Sequence, residues 1–176
     1  GLERVITAKA NYLADILGYE VTIVTSEQQS KKVHYSLSPR VRLHDLGVVI
    51  DAPKFNSLLV KIATYPWKYL LFKKRFSAFL LRVKPDITIS TLRRESNFIT
   101  AIQDGSIKIG ELHITRDARS PISGKIRRFS KRVNLFLERR FTEKLNRFSR
   151  IVLLTREEQE MWPELCNTVV IPNFQE

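Results

Sequence analysis

Asp86-Ile-Thr-Ile-Ser-Thr91, a short polar turn, Glu95 to Gln103, and then Ile107-Lys-Ile-Gly-Glu-Leu-His113 is the stretch that decides the fold. Residues 86–91 follow Lys84-Pro85 and read as a compact strand rich in β-branched side chains. Residues 107–113 read as another strand, and Glu95 to Gln103 between them as a short helix. A strand, a helix and a strand in this order make two parallel strands joined by a crossover.

The same alternation extends in both directions. Downstream, Ser120-Pro121 and Ser123 supply helix-start chemistry. Ile126, Phe129, Val133, Phe136, Leu137, Phe141, Leu145 and Phe148 then recur at spacings of three and four, which predicts a long amphipathic helix with basic residues across its other face. Arg150-Ile-Val-Leu-Leu-Thr155 is a strand, Arg156 to Met161 a helix start, and Thr168-Val-Val-Ile-Pro172 the last strand. Upstream, Glu3 to Leu17 reads as a helix, with Val5, Ile6, Leu13, Ile16 and Leu17 on one face and Gly18 as its stop. Tyr19 to Thr25 is a strand, Ser26 to Arg40 a polar loop, and Val41 to Gly47 a second strand. Phe55 to Val83 is helical in content, and Pro66 predicts a short helix followed by a longer one. Lys61, Lys68, Arg75 and Arg82 are spaced by seven and would share a line only on a continuous helix. Short strands alternating with helices predict an α/β fold, a Rossmann-like, doubly wound and mainly parallel sheet with helices on both faces.

Composition narrows the function classes. The chain has 176 residues with 43% hydrophobic content, enough for a packed core. One Cys excludes an internal disulfide framework and a multi-Cys zinc site. No apolar run reaches the roughly 18 residues of a membrane span. No signal peptide opens the chain, and a cytoplasmic setting is the expectation. The formal net charge is +12. Residues 54–84 carry eight positive and no negative charges, and residues 116–150 carry twelve against three. Residues 1–53 are neutral, residues 85–115 are net −1, and residues 151–176 are net −4. The excess therefore sits in two basic patches. Tyr65, Trp67, Tyr69, Phe72, Phe76 and Phe79 accompany the first, and Phe129, Phe136, Phe141 and Phe148 the second. Basic helices with aromatics fit an anionic membrane surface. The same content fits nucleic acid, or a core of aromatics under a solvated basic face. All three stay open at this level.

Ligands of doubly wound folds sit outside the carboxyl ends of the strands. His113 closes a strand there, and Glu111 points to the same face if the strand is regular. A His beside a carboxylate can act as a base or orient a hydroxyl. Arg93, Arg94 and Asn97 follow the strand that ends at Thr91. Arg forks suit phosphates and carboxylates, and a helix beginning near Glu95 would add N–H donors. Arg116 flanks the next strand exit. His34 and His44 lack such a setting and read as structural or exposed, and the three His share no metal-ligand spacing. Cys166 reads as packing. No G-x-G-x-x-G, P-loop or G-x-S-x-G sequence is present.

Gly1-Leu2-Glu3-Arg4-Val5 at the start of a helix resembles the Gly-Gly-x-Glu-Arg-Val segment of family-4 glycosyltransferases of the GT-B fold. Glu111-Leu-His113 resembles the strand end where that family keeps a His near the acceptor. Ile151-Val-Leu-Leu-Thr155-Arg-Glu-Glu158 followed by Val169-Val-Ile-Pro-Asn173 resembles the end of its N-terminal domain. These motifs keep the family's order and spacing over nearly the whole chain. The resemblance implies one Rossmann-like, acceptor-side domain over residues 1–176, with a first strand and a C-terminal, donor-binding domain outside them and no turnover by this portion alone.

It also implies transfer of a sugar from a nucleotide-sugar co-substrate, held mainly by that second domain, to a lipid-linked or envelope or capsule saccharide. No other cofactor and no obligatory metal are implied, and no nucleic acid partner. The protein would be cytoplasmic, peripheral at the inner face of the membrane. His113 would be the catalytic candidate, positioning or polarising near the donor sugar and acceptor hydroxyl, and Glu3 and Arg4 would face the interdomain cleft. With them, Arg93, Arg94, Asn97, Glu111 and Arg116 are the substrate-binding candidates on strand-exit position. The rival reading is a non-enzymatic basic α/β module that binds anionic membrane or nucleic acid.

Overall fold

The computed structural model describes residues 2–27, 35–50, 58–113 and 131–173. The chain divides into two compact units, Gly1–Phe79 and Leu80–Glu176. Both are mixed α/β with parallel sheets.

In the first unit, α1 spans Leu2–Asp15. Glu3 in its first turn faces the positive end of the helix dipole. Gly18 at φ +71° provides the left-handed turn beyond the helix. The apolar face expected from Val5, Ile6, Leu13, Ile16 and Leu17 is not the packed one. Ile16 and Leu17 are 67% and 48% exposed. The buried residues are Thr7, Ala10 and Ala14, and Ala10 and Ala14 pack on Val41 with Val21, Ile23 and Leu37 around them. Two alanines let the helix backbone approach the strands more closely than leucines would. Asn11 fixes the crossing: its amide donates to Ser36 O (3.0 Å) and accepts from Ser38 N (2.8 Å).

Strands β1, Thr22–Thr25, and β2, Arg42–Asp45, pair in parallel from Thr22 with Arg42 to Thr25 with Asp45. Each is shorter than the β-branched runs predict. Helix α2, Leu58–Val83, then runs unbroken through Pro66, which overturns the expected division into two helices. Pro66 is exposed, and Thr64 Oγ1 donates to Val60 O at 2.8 Å one turn earlier. A proline inside a helix costs about 3 kcal/mol, a loss that burial of Phe72, Phe76 and Phe79 further along can offset. Phe79 stacks on His44 with ring centroids 4.3 Å apart, which gives His44 a packing role.

The second unit holds β3, Ile87–Ser90; two 3-10 turns, Arg94–Asn97 and Ile99–Ala101; β4, Ile107–Glu111; α3, Lys131–Leu145; β5, Arg150–Leu153; α4, Arg156–Glu160; and β6, Thr168–Val170. Its four strands lie in the order β3-β4-β5-β6, all parallel. Leu112, Leu145, Ile151 and Leu153 are almost fully buried. On β3 and β4 the isoleucines are the outer residues: Ile87, Ile89 and Ile107 are half exposed, while Ser90, Lys108 and Gly110 are buried.

Asn167 ties down the turn after α3, its amide donating to Leu145 O (3.1 Å), the last carbonyl of the helix, and to Phe148 O (2.6 Å) beyond it. Among the described side chains, the stripe expected along this helix is packed only at its end. Leu145 and Phe148 are buried and Phe141 half-buried beside Trp162, but Phe136 and Leu137 are 55% and 48% exposed. Ile126 and Phe129 lie outside the described residues. Among the described residues no helix is long and apolar enough to cross a membrane.

Candidate functional site

β4 enters the second unit between β3 and β5, so its carboxyl end lies among neighbouring strand exits. The ladder continues one residue past the strand, with Leu112 N donating to Val152 O at 2.9 Å. This keeps residues 111 and 113 on one side. Glu111 Oε2 and His113 Nε2 lie 3.1 Å apart, and the two side chains are only 8% and 11% exposed. The carboxylate thus holds the ring in one orientation, while the strand end carries it to where parallel sheets bind ligands.

The neighbouring exit, after β3, is built differently from the expected helix. Ser90 Oγ donates to Glu95 Oε1 at 2.8 Å and accepts from Leu92 N at 3.0 Å. The same Glu95 oxygen accepts from Arg93 N at 3.1 Å, and Ser96 N donates to Arg93 O at 3.2 Å. Side chains that bond nearby backbone compete with helix hydrogen bonding. The result is two 3-10 turns in place of the helix predicted over Glu95 to Gln103. The N–H groups of Arg93 and Ser96, which a helix start would have turned toward an anion, are occupied within the loop.

Leu92 stands in this loop at φ +56° and is 2% exposed. A Cβ on Gly110 would come within 2.8 Å of Leu92 Cδ2 and of Ile151 Cδ1. Gly110 therefore exists so that the β3 loop can lie directly on β4, one residue before Glu111. Neither Leu92 nor Gly110 was singled out from sequence, although a glycine inside a strand signals such an approach.

The remaining candidates divide. Arg93 is exposed and Arg94 half-buried beside this loop. Asn97 accepts from Lys144 Nζ of α3 at 3.0 Å, so its side chain braces the turn. Glu3 and Arg4 are exposed in the first turn of α1 and belong to the other unit. Arg116 and His34 lie outside the described residues. Cys166 is exposed rather than packed, its backbone N–H reaching Asn146 Oδ1 at 3.4 Å. At the exit of β5, Thr155 caps α4 by accepting from Glu158 N at 3.1 Å, and Glu158 accepts from Leu154 N at 3.3 Å. Both side chains are taken up in ending the strand and starting the helix.

A second acid–base pair occupies the amino end of β4. Lys108 Nζ donates to Asp104 and to Ser106 Oγ, which also bonds Thr88 Oγ1 at 2.7 Å. The side chains of Lys108 and Asp104 are 8% and 1% exposed. Burial pushes the Asp104 carboxyl up, but hydrogen bonds from Lys108 and Ser106 together with the lysine charge outweigh it and leave the pKa below the ordinary value. Among the described residues, no three His, Cys, Asp or Glu side chains gather in a way that could hold a metal ion. No protein-family model matches this chain, and no curated protein matches it at a significant level.

Proposed function

We propose that this chain is the acceptor-side, Rossmann-like domain of a GT-B glycosyltransferase resembling family 4. In that role it positions a saccharide hydroxyl for attack on a nucleotide sugar. The observation that carries the reading is the Glu111–His113 pair, 3.1 Å apart at the carboxyl end of a central parallel strand. That is the strand end where the family keeps its His.

In the transfer, the acceptor oxygen forms a bond to the anomeric carbon, the bond from that carbon to the nucleotide's phosphate oxygen breaks, and the hydroxyl proton passes to the departing phosphate. The nucleotide leaves with the electron pair. His113, held by Glu111, positions and polarises; it is not assigned the role of a simple base. Arg93 at the neighbouring exit offers a planar cation to a phosphate or sugar carboxylate.

The test is transferase turnover by the complete gene product with a panel of nucleotide sugars and saccharide acceptors. Turnover that falls about a hundredfold in His113→Ala, with thermal stability kept, supports the reading. Absence of turnover with every pair, or wild-type turnover in the variant, would sink it.

A further inference from the structure

Helix α1 turns its small residues inward and its large ones outward. Thr7, Ala10 and Ala14 are the buried residues. On the opposite side Val5, Lys9, Tyr12 and Ile16 recur at spacings of four, three and four. Ile16 N donates to Tyr12 O at 3.0 Å, so this line continues into the turn that ends the helix. Tyr12 is 56% exposed and Ile16 67%, and Leu17 and Tyr19 just beyond are also exposed. Val5 and Lys9 are half-buried. All of these residues belong to the first unit. Charge separates α1 from the other long helices. It holds two acids and two bases, whereas α2 holds six bases and no acid and α3 five bases and two acids.

We propose that this outer face of α1 pairs with the same face of a second copy of the chain, antiparallel, about a two-fold axis between Lys9 and Tyr12. The line is symmetric about that point. Val5 meets the second copy's position 16 and Lys9 its position 12, and each contact occurs twice, as a two-fold interface requires. Lys9 lays its methylene stem along the tyrosine ring. The antiparallel order sets the amino end of each α1 beside the carboxyl end of the other, which the helix dipoles favour. From Val5 to Ile16 the line runs about 16 Å at 1.5 Å per residue, and Leu17 and Tyr19 widen the apolar contact at both ends of the pair.

Copies of a chain with net charge +12 repel one another across α2 and α3. Among the described long helices, α1 is where two copies meet without an excess of like charge. An anionic lipid or nucleic acid surface would find Glu3 and Asp15 on this helix as well as Arg4 and Lys9, and so no net attraction. The inference stands on α1 alone and does not depend on the transferase reading.

Sedimentation velocity on the complete gene product over a concentration series tests it. A mass of two copies that falls to one on dilution is expected. Tyr12→Ser with Ile16→Ser should raise the dissociation constant of the dimer about tenfold or more, with thermal unfolding unchanged because both side chains are exposed. Val5→Lys alone and Ile16→Glu alone should each weaken the dimer. The two together should restore it, since the antiparallel register sets each new cation against the second copy's new anion. Trp67→Ser on α2 and Leu137→Ser on α3 should leave the mass unchanged. A single copy at every concentration, a dimer that survives the paired serine variant, or a charge pair that fails to restore it would each overturn the inference. So would flotation of the wild type on phosphatidylglycerol vesicles that the serine variant loses, which would identify lipid as the occupant. Turnover on a soluble acceptor tests the transferase proposal separately.

Discussion

One strand carries two acid–base pairs, and they have opposite fates. At the amino end of β4, Lys108 and Asp104 are enclosed with Ser106 and Thr88, and every one of these groups bonds within the cluster. At the carboxyl end, Glu111 and His113 stand at the strand exit, beside a loop that Gly110 lets down onto the sheet. Burial is similar at the two ends. What differs is position: crossovers of a parallel sheet leave ligand space at its carboxyl edge, while the amino edge serves stability. On the proposed reading the Lys–Asp cluster belongs to folding and the Glu–His pair to chemistry, and each half of that division can be tested.

The largest effect should come from the amino end. Lys108→Ala leaves a buried carboxylate without its cation, and chemical denaturation should show a loss of about 3–5 kcal/mol. A wild-type midpoint would erase the distinction. Next is His113→Ala, whose turnover should fall about a hundredfold, about 2.7 kcal/mol in transition-state terms, with the unfolding midpoint nearly unmoved. Gly110→Ala should follow, costing about 1–3 kcal/mol as Leu92 or Ile151 shifts. It sharpens the comparison because it disturbs the carboxyl end through packing alone, so stability and turnover should fall together.

The smallest effect is in pH. Asp104 has a folded pKa below its unfolded one. Its contribution is therefore fully present above about pH 4 and is lost as pH falls through the folded value. Asp104→Asn should be less stable at neutral pH but should lose less on acidification below about pH 4, read from denaturation midpoints across that range. A parallel acid limb in both proteins would remove the carboxylate from the account.

The carboxyl-end pair was legible in sequence because residues two apart on a strand share a side whatever the tertiary context. The amino-end pair was not. Lys108 lies between Ile107 and Ile109, a pattern that gives no hint of a buried lysine, yet the fold buries the lysine and leaves Ile107 half exposed. The parallel α/β class came through from the alternation of short β-branched runs with helices. Local rules failed where other interactions overrode them. Pro66 did not divide α2, Ser90 and Glu95 diverted a predicted helix into 3-10 turns, and small residues rather than large ones chose the packed face of α1. Phe136 and Leu137 have helical spacing yet stay half exposed, Phe136 with the Arg140 guanidinium 5.1 Å from its ring centre, which periodicity alone cannot reveal.

Leu92 and Gly110 impose a rule of descent on this molecule. A leucine in the left-handed region resists replacement less for its backbone than for its side chain, which occupies the space a Cβ at 110 would claim. Either position changed alone leaves a clash or a hole, and a side chain at 110 needs room from both Leu92 and Ile151, whose Cδ1 lies equally close. Three residues from separate parts of the chain are thus inherited as one character. A lineage could rebuild the mouth of this sheet by a joint step while passing few viable single-substitution intermediates on the way.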